Sequence, residues 1–246
     1  PNPCVLCNTH IKWESLLKRA DKLGCEFIAT GHYANINFDN NRYYISKGKD
    51  LNKDQSYALW GISQKNLART IFPLGDLNKD EIRKMAKDWG YHNLVKKSES
   101  YEICFVPDNN YRGFLKNRVK DLDKKVGKGN FIDTDGNVIG VHEGYPFYTV
   151  GQRKGLGLAT GYPVYVTEIN SRKNEVMIGT FDELKRNGMM VDKLNFMKFD
   201  KISGKINSNT KIRYNDLGSP SIIEQIEGSI KVFFGNGVNA IAPGQA

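Results

Sequence analysis

The pattern of apolar and turn residues changes at about Gly129, and this change limits the folds that the chain can adopt. Before Gly129, segments with apolar residues at helical spacing surround short apolar runs such as CEFIAT, a pattern typical of an α/β domain with buried parallel strands. After Gly129, strand-like segments alternate with turn residues, as in DTDGNVIG and SIKVFFGNG. The sequence therefore predicts an α/β part, a small mixed middle and a closed C-terminal β-barrel.

This pattern divides the chain into four segments. We expect an α/β part over 1–62, a helical extension over 63–128, a mixed domain over 129–185 and the barrel over 186–246. The segment KIRYND is predicted to be one of the barrel strands.

Helix boundaries are marked by capping residues. Thr9 is expected to cap a helix that ends at Gly24, Ser63 to open a short helix, and Asn78 with Glu81 to form a capping box. The predicted buried face of the first helix consists of Ile11, Leu16, Leu17, Ala20 and Leu23. The predicted buried face of the helix after Asn78 consists of Ile82, Met85, Ala86 and Trp89.

Composition narrows the class of protein. The 246 residues carry a formal net charge of +9, which favours a polyanionic partner such as RNA, although a merely basic protein fits the charge equally well. No apolar run reaches the roughly 18 residues of a membrane span, and the first residues do not form a signal peptide. The 4 cysteines are too few for a secreted disulfide scaffold. Because the chain begins within a motif and stops at the strand-like APGQA, we expect further residues at both ends.

The cysteines leave three interpretations open. Cys4 and Cys7 stand in PNPCVLCNTH, which we expect to be a Pro-rich loop just before a helix. A zinc site would need a second close pair of ligands, which the sequence lacks, and the order of elements does not favour a thioredoxin-like redox pair. In the third interpretation, Cys7 and Cys104 face one pocket, carry sulfur as a persulfide and close to a disulfide. A buried structural role fits Cys104 as well, and Cys25 is expected only to pack.

A basic, glycine-rich segment, GQRKGLGL, has two interpretations. Arg153 and Lys154 suit contacts with phosphates. The segment is not a P-loop, because the GxxxxGK[ST] spacing is absent. A structural loop at the entrance of the barrel fits the residues equally well.

Several segments share their order with a known family: PNPCVLCN, ATGHYA, KDQSYALWG, FPLG, EICFV, YTVGQRKGLGL and APGQ. They extend over nearly the whole chain and resemble the bacterial tRNA-specific 2-thiouridylase family, most specifically in EICFV followed by GQRKGLG. The resemblance implies an N-terminal ATP-pyrophosphatase domain of the adenine-nucleotide-hydrolase type. This chain would hold only the C-terminal part of that domain, because its nucleotide (PP-) loop, similar to SGGxDSS, is absent from the sequence.

The resemblance also implies a reaction. In this family ATP adenylates the 2-oxygen of the wobble uridine of tRNA, and a cysteine persulfide then attacks C2. Cys104 would carry the persulfide, and Cys7 would release the sulfur and form a transient disulfide with Cys104. AMP turns the oxygen into a good leaving group, and a second thiolate can cleave the S–S bond of a persulfide. The implied cofactor is ATP with Mg²⁺, and no structural metal is expected.

Binding roles follow from the same resemblance. Asn2, Pro3 and Cys4 match the stretch around the target base, but some members carry Asp at the position of Cys4, so a spare thiol is the alternative role there. Gly31 matches an ATP-contacting position, although an ordinary strand-to-turn fits it too. The positions that match tRNA contacts are His32, Lys53, Asp54, Gln55, Arg213, Tyr214 and Gln245.

The implied partners are the anticodon arm of tRNA with its wobble uridine and a sulfur-donor protein, such as a cysteine desulfurase or a sulfur-relay protein. No membrane partner is expected, and the implied location is the cytoplasm. Two alternatives remain: a non-catalytic basic module that binds tRNA or another RNA, and a zinc-stabilised RNA-binding protein.

Overall fold

The computed structural model describes residues 3–96, 104–106 and 110–245. These residues form two compact units. Of the described residues, the first unit comprises 3–96 together with 193–203, and the second comprises 104–106 and 110–192 together with 204–245. Among the described residues, no helix combines the length and the apolar character needed to cross a bilayer.

The first unit begins with a helix that is longer than predicted. Helix α1 (Pro3–Leu6) continues through a π-helical stretch (Cys7–Trp13) into α2 (Glu14–Lys22). Thr9 is therefore not a cap. It lies inside the helix, where its hydroxyl donates to the carbonyl of Val5 at 2.9 Å. Pro3 explains the earlier start, since proline suits the first helical position.

The buried face of this helix also differs from the prediction. Val5, Trp13, Leu17 and Ala20 are buried. Three side chains predicted to be buried are exposed instead: Ile11, Leu16 and Leu23. A π-helical stretch has more residues per turn than an α-helix, so the inward face moves from the positions that regular α-helical spacing selects.

Two short sheets complete the first unit. Strand β1 (Ile28–Ala29) lies after CEF, and β2 (Ala34–Asp39) and β3 (Arg42–Lys47) form an antiparallel hairpin. Helix α3 (Gln64–Leu67) leads to β4 (Thr70–Ile71), which pairs in parallel with β1. Helices α4 (Lys79–Asp88) and α5 (His92–Val95) follow. The core of the unit contains Trp13, Leu17, Ala20, Ile28, Ala34, Leu59, Ile62, Leu67 and Phe72.

The predicted caps of the two later helices are confirmed, unlike that of Thr9. Ser63 accepts a hydrogen bond from the amide of Asn66, and Asn78 with Glu81 forms the capping box of α4. Gly24 has a φ of +70°, as expected for the end of α2. The predicted burial of Trp89 is wrong, because 68% of this residue is exposed at the C-terminal end of α4.

The second unit contains two four-stranded sheets. Helices α6 (Tyr111–Arg118) and α7 (Leu122–Lys125) precede the first of them. Its strands are β5 (Gly129–Ile132), β6 (Val138–His142), β7 (Tyr165–Asn170) and β8 (Glu175–Gly179), in the order β6-β5-β8-β7. The hairpin predicted from DTDGNVIG is present as β5 and β6. Phe131, Val166 and Val176 are fully buried in the core below this sheet.

The second sheet of this unit is antiparallel and open. Its strands β9 (Lys185–Val191), β10 (Lys205–Thr210), β11 (Ser219–Ile226) and β12 (Ser229–Asn239) follow the order β10-β11-β12-β9. Across the residues that the structure describes, β10 and β9 do not pair, so the predicted barrel closure is not observed. Closed small barrels use about five or more strands, and KIRYND does not supply the fifth.

KIRYND is a turn and not a strand. The amide of Asp216 donates to the carbonyl of Arg213 at 3.2 Å, and the carboxylate of Asp216 accepts from the amide of Ile212 at 2.8 Å. An Asp that binds backbone amides in this way favours a turn over an extended strand.

Candidate functional site

Cys4 and Cys7 lie on a helix and not in the predicted loop. Cys4 is exposed within α1, and Cys7, which is partly buried, is the first residue of the π-helical stretch. Asn8, directly after Cys7, is only 3% exposed, and its side-chain amide donates to the carbonyl of Ala58 at 2.9 Å. π-Helical stretches occur frequently at functional sites, and this one fixes the backbone on which the Cys7 thiol stands.

The last residue of the π-helical stretch, Trp13, is held by the core. The indole of Trp13, which is fully buried, donates to the hydroxyl of Thr70 at 2.8 Å. Gly61 is packed so closely against the helix that a side-chain carbon there would overlap the hydroxyl of Thr9. The support around Cys7 is therefore rigid on the side that faces the core.

Cys104 belongs to the second unit and is exposed. Its neighbour Phe105 packs against Phe114 of α6, with 5.4 Å between ring centroids, and Val106 is buried. The thiol therefore stands in a turn that two hydrophobic neighbours hold against the unit. The interpretation of Cys104 as a buried structural residue is wrong.

Cys25 is also exposed, so its predicted packing role is wrong as well. The buried part of the CEFIAT run begins later, at Ile28, because the chain from α2 first passes through the turn at Gly24.

His32 lies in the aromatic core of the first unit. Its ring centroid is 5.5 Å from that of Trp13 and 5.9 Å from that of Phe72, and its Nδ1 is 2.9 Å from the hydroxyl of Thr30. Burial, and secondarily the positive charge of Lys12, lowers the pKa of His32 from 6.5 to about 4. The imidazole is therefore neutral at neutral pH, and only 8% of the residue is exposed for any contact with RNA.

The neighbouring predicted tRNA stretch, Lys53 to Gln55, is tied to the strand that follows His32. The amide of Tyr33 donates to the side-chain oxygen of Gln55 at 3.1 Å, and the amide of Gln55 donates to the carbonyl of Tyr33 at 2.9 Å. Asp54 accepts from the amide of Gly48 at 3.0 Å. The structure therefore places Gln55 against Tyr33, the residue after His32, whereas Asp54 bonds to Gly48.

Gly31 is exposed, and a side-chain carbon built there would make only an ordinary 3.5 Å contact with Leu74. A ligand can therefore approach its backbone. Within the described part of the chain, no group of three or more His, Cys, Asp or Glu side chains is arranged to hold a metal ion. Asn2, predicted to lie beside the target base, falls outside the described residues, whereas Pro3 begins α1.

Arg213, Tyr214 and Gln245 belong to the second unit. The guanidinium of Arg213 donates to the carbonyl of Ala240 at 2.7 Å, whereas Tyr214 and Gln245 are exposed. Arg213 also lies next to the start of GQRKGLGL, since a side-chain carbon at Gly151 would be 3.6 Å from its guanidinium nitrogen.

Sequence reasoning missed two residues of interest. The sequence could have identified Asn8, since it follows Cys7 directly in the motif. It could also have identified Gly151, since it opens GQRKGLGL: its φ is +88°, and a side-chain carbon would be 2.5 Å from that of Ala240, so only glycine fits there.

Two known families match different parts of the chain. Residues 1–108 match the family described as the tRNA methyl transferase HUP domain. Residues 112–180 match the family described as the tRNA methyl transferase PRC-barrel domain. The second match covers α6, α7 and the sheet β6-β5-β8-β7, and ends before the segment 186–246 that was predicted to be the barrel.

Whole-chain relatives give a consistent name. The chain is 66% identical to the tRNA-specific 2-thiouridylase MnmA of Amoebophilus asiaticus, over all of this chain and 66% of that protein. It is 62% identical to the MnmA of Cytophaga hutchinsonii, covering 67% of it, and 52% identical to the MnmA of Salinibacter ruber, covering 65%. The chain thus spans about two thirds of the length of these relatives. It belongs to the tRNA-specific 2-thiouridylase family.

Proposed function

We propose that this chain is the part of a tRNA-uridine 2-sulfurtransferase that carries sulfur and holds RNA. The observation that carries the proposal is the identity of 62–66% with two proteins named tRNA-specific 2-thiouridylase, over the whole of this chain. The surplus of positive charge, +9 over 246 residues, is consistent with a polyanionic substrate. The proposed substrate is the wobble uridine in the anticodon arm of tRNA.

Two thiols carry the proposed chemistry. The terminal sulfur of a Cys104 persulfide attacks C2 of the activated uridine, the C2–O bond breaks, and AMP leaves with the bonding electrons. The Cys7 thiolate then attacks Sγ of Cys104. The S–S bond of the former persulfide breaks, its electron pair stays on the sulfur bound to C2, and a Cys7–Cys104 disulfide forms. An external thiol reductant restores the two cysteines for the next cycle.

The exposure of the thiols supports these roles. Cys104 is exposed and Cys7 is partly exposed, so an external sulfur donor and a nucleobase can reach them. Cys4, also exposed, is the proposed neighbour of the target base together with Asn2 and Pro3. The proposed donor is a cysteine desulfurase or a sulfur-relay protein, and the proposed location is the cytoplasm.

The remaining roles concern RNA and nucleotide. Tyr214 and Gln245 are exposed and are the proposed contacts of the second unit with the anticodon arm, and Arg213 orders the turn that bears Tyr214. Lys53 is the proposed cation of the first-unit contact, which Asp54 and Gln55 hold in shape beside His32. Gly31 is the proposed contact of this chain with ATP. The Mg²⁺ and the PP-loop belong to the proposal only as contributions from outside this chain.

Replacing Cys104 by Ser in the complete enzyme tests the proposal. We expect 2-thiouridine in tRNA to disappear in the Cys104→Ser and Cys7→Ser variants. The Cys25→Ser variant is the matched control, because Cys25 is exposed but has no proposed role. Normal thiolation in the Cys104→Ser variant would refute the assignment.

A non-catalytic RNA-binding module is the second candidate, and the absence of the PP-loop motif from this sequence favours it for the chain in isolation. The two candidates differ in one measurement. The module predicts that the full-length protein binds tRNA but does not thiolate it when ATP and a sulfur donor are supplied. The enzyme predicts thiolation under those conditions.

A further inference from the structure

The GQRKGLGL segment borders a cleft in the second unit that no proposed role uses. The cleft has a volume of about 280 Å³ and is lined by residues between positions 153 and 164. It lies entirely within one short stretch of chain, between the end of β6 and the start of β7.

The floor of this cleft is apolar and fixed. Leu156 and Val164 are each 8% exposed and belong to the core cluster that contains Phe131. Leu158 packs over β6, where a side-chain carbon at Gly140 would come within 2.5 Å of it. Because the floor is part of the core, the cleft exists before any ligand arrives.

The rim of the cleft carries one cation and one aromatic ring. Arg153 is exposed, and 61% of Tyr162 is exposed. Neither side chain makes a hydrogen bond or an ion pair with any other residue that the structure describes. The hydroxyl of Thr160 donates to the carbonyl of Tyr162 at 2.7 Å, which fixes the backbone that bears the ring.

Two glycines with open space around them lie between these side chains in the sequence. Gly155 and Gly157 have φ values of +75° and +71°, and no atom lies within 4 Å of the place where a side chain would begin. The backbone of these two glycines is therefore uncovered on the side where a side chain would begin, and a ligand in the cleft can approach it there. No acidic side chain lines the cleft, so nothing in the lining repels an anion.

We propose that this cleft binds a single unstacked nucleotide of an RNA, with Arg153 on its phosphate and Tyr162 stacked on its base. A volume of about 280 Å³ lies just below the usual size range of ligand pockets and suits one nucleotide better than a large cofactor. Proteins that bind single-stranded nucleic acids combine cations, which contact the phosphates, with exposed aromatic rings, which stack on the bases. The identification of the RNA as tRNA rests on the proposed function.

Two titrations test the cleft. In the first, uridine monophosphate is added to the whole chain and followed by amide NMR, with inorganic phosphate as the parallel probe. We expect the amides of Gly155 and Gly157 to shift more with the nucleotide than with phosphate. The shifts should be lost in Arg153→Ala and Tyr162→Ala and kept in Arg172→Ala, a control that removes an exposed arginine outside the cleft.

In the second titration, tRNA binding is measured against salt concentration. Arg153→Ala should lower the slope of log K against log salt by about 0.9, the contribution of roughly one phosphate contact. Tyr162→Ala should weaken binding about tenfold without a change of slope, and Tyr162→Phe should restore it, because stacking needs only the ring.

The outcomes separate this proposal from the proposed function. Equal shifts with phosphate and nucleotide, or binding of tRNA by Arg153→Ala and Tyr162→Ala that matches Arg172→Ala, would overturn the cleft proposal and leave the proposed function standing. Nucleotide-specific shifts in a protein that does not bind tRNA would support the cleft and overturn the proposed function.

Discussion

The side-chain amide of Asn8 donates a 2.9 Å hydrogen bond to the main-chain carbonyl of Ala58, and this bond joins the residue after Cys7 to the segment before Trp60. Asn8 is 3% exposed, and its side-chain oxygen has no hydrogen-bond partner among the described residues. A buried amide that satisfies only its donor costs stability, and it is retained here directly beside a thiol with a proposed catalytic role.

Replacing Asn8 by Ala should therefore destabilise the protein and loosen the support of Cys7. We expect the free energy of unfolding to fall by about 1–3 kcal/mol, because the carbonyl of Ala58 loses its partner. Urea denaturation measures this change. In a background where the other cysteines are Ser, alkylation of Cys7 by iodoacetamide should become faster.

Asn117→Ala is the matched control, because Asn117 is exposed on α6 and its side chain makes no hydrogen bond with a described residue. It should change the free energy of unfolding by no more than about 0.5 kcal/mol. Equal unfolding and equal alkylation in the Asn8→Ala and Asn117→Ala proteins would refute a positioning role for Asn8.

The contact of Gly61 with Thr9 predicts a coupled pair of substitutions. A methyl group at position 61 would overlap the hydroxyl of Thr9, whereas the next nearest atom, Cγ1 of Val5, is at an ordinary 3.5 Å. Gly61→Ala alone should cost about 1–3 kcal/mol of stability. In the Thr9→Ala background, the same change should cost much less, because the overlapping atom is gone.

A double-mutant cycle measured by thermal unfolding checks this coupling. Gly228→Ala is the control, since Gly228 has no atom within 4 Å of the added carbon. Additive effects of Gly61→Ala and Thr9→Ala would show that the close approach of the helix to Gly61 is not what limits position 61.

Local signals in the sequence predicted local structure well. Ser63, Asn78 and Glu81 cap helices as expected, because capping depends on neighbours only a few residues away. The Asp-Gly turn of the β5–β6 hairpin is local in the same sense. The first helix was predicted less well, since a π-helical stretch changes the spacing of its inward face and leaves no mark in apolar periodicity.

Burial that depends on long-range packing was not predicted from the sequence. The burial of His32 between Trp13 and Phe72 depends on residues far apart in the chain, so no local pattern in the sequence predicted it. Cys104 is exposed although hydrophobic residues surround it in the sequence, because its accessibility also depends on long-range packing. The segments that resemble the family predicted its identity, but not how far each side chain is accessible.

The lowered pKa of His32 makes stability depend on pH. Burial first, and the charge of Lys12 second, lower this pKa from 6.5 to about 4. The unfolded chain therefore binds the proton more tightly, so stability is complete above the unfolded pKa and falls as the pH drops from 6.5 towards 4. We expect a loss of about 2 kcal/mol from this group alone between about pH 8 and about pH 5.

Urea denaturation of the wild type and of His32→Gln at both pH values isolates the effect. The variant should lose less stability between the two values, by about 2 kcal/mol. His142, whose pKa is also lowered by burial, is present in both proteins and cancels in the difference. Parallel pH dependence of the two proteins would contradict a buried neutral His32.

Arg42 anchors the segment 193–203, which belongs to the first unit although it follows most of the second along the chain. The guanidinium of Arg42 donates to the carbonyls of Met197 at 2.8 Å and Phe196 at 2.6 Å and pairs with Asp200. Gln64 adds a 3.1 Å bond to the same Met197 carbonyl. Arg42→Ala should therefore loosen this segment, although Gln64 and the bonds of Asn195 to the carbonyls of Trp60 and Ile62 still hold it in part.

Limited digestion with trypsin measures this loosening, because Lys198 and Lys201 are exposed cleavage points within the segment. Losing about 1.5–3 kcal/mol of charge-assisted hydrogen bonding corresponds to cleavage at least roughly tenfold faster in Arg42→Ala. The cleavage rate of Arg42→Lys should lie between those of the wild type and Arg42→Ala. An ammonium lacks the planar guanidinium that binds both carbonyls and the carboxylate at once. Arg19→Ala, an exposed change on α2, should leave cleavage unchanged, and equal rates in Arg42→Ala and Arg19→Ala would show that other contacts hold the segment.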